Sequence, residues 1–160
     1  MSATLTVATP TDNEIVMTRV FDAPRELVYE AMTNPEHIRQ WWGWSHWTMT
    51  VCEADFTPGG TYRFVSRSPE GQEVPFTGTC LEAARPERVV FTEIYDVEPF
   101  NQGEPAVVTT TFEAVDGRTK VTVTSRYADR TVRDAVLQSG METGAAHSYD
   151  RLAELLKSLA

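Results

Sequence analysis

Cysteine is scarce in this chain, and basic residues are outnumbered. Only Cys52 and Cys80 occur; both fall in strand-like segments with no second metal-ligand type at a useful spacing, so they read as reduced core residues. The three histidines, His37, His46 and His147, show neither HxxxH nor HExxH spacing, so no metal site is expected. Lys and Arg number 14 against 23 Asp and Glu, a formal net charge of -9. That is the wrong sign for tracking a phosphate backbone, and no basic cluster offsets it. Nucleic acid and anionic membrane are therefore not expected partners. No apolar run reaches 18 residues, and residues 1–11 are polar with no basic segment leading into an apolar one. No membrane insertion is expected, and a cytoplasmic location is the default. No glycine-rich loop opens a helix after a strand, since Gly59-Gly60 joins two strands; no cofactor is implied.

What is present fits one domain. A chain of 160 residues with 41% hydrophobic residues supports a single core, expected over 13–160 behind an N-terminal tail, 1–12. Residues 131–159 read as one long helix, because Leu137, Met141, Gly144, Ala145, Ser148, Leu152, Leu155 and Leu159 recur mostly three or four apart. The stripe is large at both ends and thin at Gly144, Ala145 and Ser148. A sheet packed on it would touch the ends and stand off between them, which predicts a cavity.

The remainder alternates with period two. Residues 13–21 form a first strand; Pro24 opens a helix with Leu27, Val28, Ala31 and Met32 on its apolar stripe. Asn34-Pro35-Glu36 caps and starts a second short helix, running to about residue 42. Strands are then expected over 47–56, 61–67, 74–83, 88–95, 106–114 and 118–127, with Asp116-Gly117 the clearest hairpin turn. Parity points Tyr62, Phe64 and Ser66, Phe76, Gly78 and Cys80, Val89, Phe91, Glu93 and Tyr95, Val108, Thr110, Phe112 and Ala114, and Val121, Val123, Ser125 and Tyr127 inward. The fold class is α+β: a curved antiparallel sheet of six or seven strands wrapped around a long C-terminal helix, with two short helices after the first strand.

Three segments carry a family resemblance: FDAPRELVYEAMTNPEHIRQWWG (21–43), EADFTPGGTYRF (53–64) and RPERVVFTE (85–93). Their order resembles the START-like (SRPBCC) superfamily of polyketide cyclases and pollen allergens, a helix-grip fold. Within it the chain is most similar to the bacterial branch related to the activator of heat-shock-chaperone ATPase. The resemblance implies hydrophobic ligand binding, cyclisation chemistry or a chaperone partner. It also marks two departures: the family usually carries Trp where this chain has Glu93 and again where it has Ala145. Both replacements remove an indole from the implied cavity wall, and the first adds a carboxylate.

Trp41, Trp42, Trp44 and Trp47 lie within seven residues. Two readings stand for them, an aromatic gate at the cavity mouth and a simple anchor of the short helix. Two also stand for Glu93. Facing inward, it is a desolvated acid/base group or an anchor for a polar ligand head; facing outward, it is a solvated surface acid. His147, Ser148 and Asp150 do not form a triad, because successive helical residues point about 100° apart.

The expected ligand-binding residues are Trp42, Trp44, Phe64, Phe76, Phe91, Glu93, Phe112, Tyr127, Met141, Ala145 and Tyr149, with Glu93 the only catalytic candidate. The leading expectation is a small hydrophobic or amphipathic ligand held between sheet and helix, by a monomer or homodimer. A chaperone-activator-like interaction module is the first alternative. A cyclase- or hydrolase-type enzyme using Glu93 with Tyr95, Tyr127 or Tyr149 is the second.

Overall fold

The computed structural model describes residues 4–44 and 46–160. Residues 1–3 of the expected tail and Ser45 in the tryptophan-rich segment lie outside the described residues.

Eight strands, β1 (Thr6–Ala8), β2 (Glu14–Phe21), β3 (Thr48–Ala54), β4 (Thr61–Arg67), β5 (Glu73–Ala84), β6 (Arg88–Tyr95), β7 (Ala106–Val115) and β8 (Arg118–Arg126), make one antiparallel sheet. Its order is β1-β2-β8-β7-β6-β5-β4-β3. Two short helices, α1 (Arg25–Thr33) and α2 (Pro35–Trp41), follow β2, and α3 (Arg130–Gln138) and α4 (Met141–Leu159) close the chain. This is the α+β helix-grip arrangement. Among the described residues no helix is long and apolar enough to cross a membrane.

Local chemistry sets the helix ends. The Asn34 side chain accepts from the Glu36 backbone N–H at 2.9 Å, and Pro35 takes the first helical position, so α2 starts where its cap and proline dictate. Asp129 does the same for α3 through the Val132 N–H, at 2.9 Å.

Two expectations change. The tail expected over 1–12 contributes a strand, β1, paired Thr6↔Thr18 to Ala8↔Val16, which raises the strand count to eight. The single helix expected over 131–159 is two, because Gly140 sits at φ 85° between α3 and α4. That left-handed conformation ends one helix and starts the next, and glycine adopts it without a Cβ penalty.

The core lies between the inner face of the sheet and α1, α2 and α4. Phe21, Val28, Ile38, Trp41, Phe112, Val121, Leu152 and Leu156 are each at most 4% exposed. A fully buried side chain of this kind contributes roughly 1.5–3 kcal/mol. Trp41 also donates its indole N–H to Ala31 O at 2.9 Å, so it anchors α2 on α1. Charged side chains fasten the C-terminal helices to β2: Arg19 pairs with Asp150 at 2.6 Å, and Arg133 donates to Thr11 O at 2.8 Å and Glu14 O at 3.3 Å.

Candidate functional site

The inner face of the sheet has two unlike ends. At the end just described the side chains are closed against α1 and α2. At the other, Trp42, Phe76, Phe91, Glu93, Tyr95, Tyr127, Met141 and Ala145 all stay partly accessible to solvent. These partly open positions define the crevice, the strip where the first half of α4 faces the sheet.

Strand register builds its floor. Ala54 lies opposite Tyr62, Tyr62 opposite Gly78, and Glu93 opposite Ala106. The pairing that runs from Phe76↔Tyr95 to Cys80↔Phe91 sets Gly78 beside Glu93, so both cross-strand neighbours of Glu93 are small. The room above Gly78 is filled from elsewhere. The Tyr62 ring lies over it, with Cε1 2.6 Å from where a Cβ would stand, and the Tyr62 hydroxyl donates to Thr92 O at 2.7 Å. Gly78 has no side chain because the neighbouring ring and the Thr92 carbonyl need its space.

Aromatic rings continue around Glu93 along two arms that both start at Trp42. One runs from Trp42 to Phe64 (5.3 Å between centroids), Tyr62 (4.9 Å) and Phe91 (5.5 Å). The other runs from Trp42 to Phe76 (5.4 Å) and Tyr95 (5.5 Å), and on to Phe100 (5.4 Å), which is 63% exposed. Phe91 and Tyr95 flank Glu93 on the same face of β6, so the arms rejoin on either side of the carboxyl.

Glu93 therefore faces inward. It forms no hydrogen bond or ion pair with any described residue. Burial among these rings pushes its pKa up to about 7, since a low-dielectric surrounding disfavours the charged carboxylate. Burial raises the phenol pKa values of Tyr62, Tyr127 and Tyr149, and the charge on Glu93 raises all three further. For Tyr127 a hydrogen bond with Ser125 acts in the opposite direction. At neutral pH these phenols remain protonated, as hydrogen-bond donors and polarisable walls.

The expected site residues divide. Trp42, Phe64, Phe76 and Phe91 are joined in the ring around Glu93, and Tyr127 and Tyr149 couple to it electrostatically. Met141 and Ala145 lie on the helix above, packed against the core cluster. Phe112 is elsewhere, 2% exposed in the closed end, with its ring 5.1 Å from Tyr29. Tyr149 stands at the boundary, also touching Phe21 (6.0 Å) and Trp41 (5.9 Å).

The thin middle of the C-terminal helix needs correction. At Gly144 the space is taken by Trp44, whose Cδ1 lies 2.6 Å from the position of a glycine Cβ. At Ser148 it is taken by Gly43: the serine hydroxyl donates to Gly43 O at 2.6 Å and accepts from Gly43 N–H at 3.1 Å. Arg151 adds bonds to Gly43 O and Trp44 O. At two of the three small residues the space is thus filled by the tryptophan segment, while Ala145 is partly buried beside the core cluster. Trp44 packs tilted against Trp47, with ring centroids 4.7 Å apart, and belongs to this clamp on α4.

Two surface grooves, of about 720 and 430 Å³, lie away from the crevice. They run between the start of α1 and the β7–β8 hairpin, beside Arg25, Glu87, Glu113 and Arg118. Sequence reasoning placed Gly78 on the inner face but missed Ala106 and the clamp residue Arg151. Ala106 could have been found from the hairpin registers; nothing in the local pattern marks Arg151.

The family model described as activator of Hsp90 ATPase homolog 1-like protein matches residues 22–157. The chain belongs to this family. A protein from Rhodobacter sphaeroides whose crystal structure is known is similar over 98% of this chain and 99% of its own, with 28% identity and a TM-score of 0.89. A protein from Staphylococcus epidermidis, known in solution, matches over 97% and 95% with 25% identity and a TM-score of 0.83. An AHSA1 protein from Silicibacter pomeroyi shares the fold at 21% identity, over 92% and 99%, with a TM-score of 0.76. No curated protein matches the chain. Membership fixes the START-like helix-grip frame of this family; what the crevice holds is a property of its own residues.

Proposed function

We propose that this protein binds a small amphipathic molecule in the crevice between the inner face of the sheet and the first half of α4. One observation carries the reading: Glu93 is an inward-facing carboxyl with no partner of its own, set in a ring of aromatic side chains. Burial among the rings disfavours the charged carboxylate. A ligand that donates to Glu93 and lays an apolar body against Trp42, Phe76 and Phe91 offsets that penalty. The partly accessible rings give such a molecule a route inward, and aromatic walls with one convergent polar group are the usual make-up of a small-molecule site.

Native mass spectrometry after gentle purification, combined with a thermal-shift screen of fatty alcohols, amines, sterols and aromatic polyketides, tests the reading. A retained mass or a raised midpoint is expected. Ala145→Trp should then fill the crevice and weaken binding of any hit by more than tenfold. No retained mass and no shift across the panel would remove the proposal.

A second reading is favoured by one further observation. A carboxyl that titrates near neutrality is suited to general acid/base work. It predicts that some member of the same panel is converted, seen as a new product mass, and that Glu93→Gln abolishes the conversion.

A further inference from the structure

The ligand-binding reading leaves the chemical class of the polar head open, and the surroundings of Glu93 narrow it. Four arginines on the surrounding elements are engaged with other groups. Arg63 pairs with Asp96 at 3.0 Å, and Arg126 with Glu14 at 3.7 Å. Arg133 is bonded to Thr11 O, Glu14 O and Asp134, and Arg151 to Gly43 O. Among the described residues none of them forms an ion pair with Glu93. Among the described residues no N–H or O–H donor is hydrogen-bonded to the carboxylate, whose same-face neighbours on β6 are the aromatic Phe91 and Tyr95. Tyr62 spends its hydroxyl on Thr92 O, while Phe91 contributes only a ring edge or face.

Resting on the ligand-binding reading, we infer that the crevice selects an organic cation: a protonated amine or quaternary ammonium head seated between Glu93 and the surrounding tyrosine and phenylalanine rings, with its apolar tail directed toward Trp42 and Phe76. Two independent attractions converge on such a head. The carboxylate supplies the counter-charge. The aromatic rings supply cation–π attraction, which strengthens when the cation is desolvated. An anionic head meets the reverse, since a second carboxylate beside Glu93 is repelled in a low-dielectric setting. A neutral alcohol can hydrogen-bond to Glu93 but gains neither the charge pairing nor the cation–π term. The net charge of -9 also draws cations toward the molecule.

A matched series with one tail separates these cases: octyltrimethylammonium, octylammonium, octan-1-ol and octanoate, titrated calorimetrically at pH 8 into the intact protein and into Glu93→Gln. The two ammonium compounds are expected to bind at least tenfold more tightly than the alcohol, and octanoate not measurably. Glu93→Gln should cost the ammonium compounds at least tenfold and leave the alcohol within twofold. The variant changes the net charge by one in nine, so diffuse attraction of a cation to an acidic surface would hardly respond to it. Equal affinity for alcohol and ammonium, or ammonium binding indifferent to Glu93→Gln, overturns the cation inference while the ligand-binding reading stands. If no member of the series binds and the wider screen is also silent, both fall.

Discussion

The two halves of α4 face the same sheet and meet opposite conditions. Its second half buries Leu152 (0% exposed) and Leu156 (3%) against α1, α2 and the closed end of the sheet. Its first half, through Met141 and Ala145, looks onto partly accessible rings and an unpaired carboxyl. The contrast separates two tasks within one helix. Apolar burial at the closed end supplies the stability that offsets the cost of keeping Glu93 desolvated at the open end. Sites that carry such a cost persist where the rest of the structure over-determines them.

The difference can be attacked from each side. The largest effect is expected from Leu152→Ala, which removes a completely buried side chain and should cost about 2–5 kcal/mol in urea unfolding. A cost of less than about 1 kcal/mol would mean that the closed end is not the stabilising half. Glu93→Gln should act with the opposite sign. The carboxyl's pKa is raised from 4.5 to about 7, so below pH 4.5 both folded and unfolded chains hold the proton and no penalty arises. As pH rises toward 7 the unfolded chain releases its proton first, and stability falls by up to about 3 kcal/mol, all of it present above pH 7. The amide avoids that loss. Its advantage in melting temperature over the parent should be small at pH 4.5 and several degrees at pH 8, about 2–4 °C for each kcal/mol. An advantage independent of pH would place Glu93 in solvent.

The smallest effect is expected at the clamp. Gly144→Ala gains about 1 kcal/mol of helix propensity but drives a methyl group into the Trp44 indole, where overpacking costs roughly 1–3 kcal/mol. A net loss of about 1 kcal/mol should accompany a red shift of the tryptophan emission. A net gain would show that Trp44 is not seated on Gly144.

Much of this was readable in the residues. The parity of 89, 91, 93 and 95 put Glu93 with Phe91 and Tyr95, and the structure keeps them on one face; the apolar Val90 and Ile94 had left the strand's orientation open. The Asn34-Pro35-Glu36 start of α2 and the Asp116-Gly117 hairpin follow from local chemistry and appear where expected. The failures have separate causes. β1 is three residues held by backbone pairing with β2, which leaves almost no side-chain pattern. The break at Gly140 was masked because the apolar stripe continues in phase on both sides of it. The thin middle of α4 signalled small residues but not their partners, since Gly43 and Trp44 reach it from a hundred residues away. Size complementarity across such a distance leaves no trace in either segment alone.

The tilted tryptophan pair beside that clamp has an optical consequence. Trp44 and Trp47, with ring centroids 4.7 Å apart and planes inclined at 59°, are close enough for their indole transitions to couple as an exciton. The protein should show a split circular-dichroism band in the far ultraviolet, with two lobes of opposite sign. Because the pair is held against α4, the amplitude of that couplet is a built-in gauge of how firmly the tryptophan segment is seated, readable without any label.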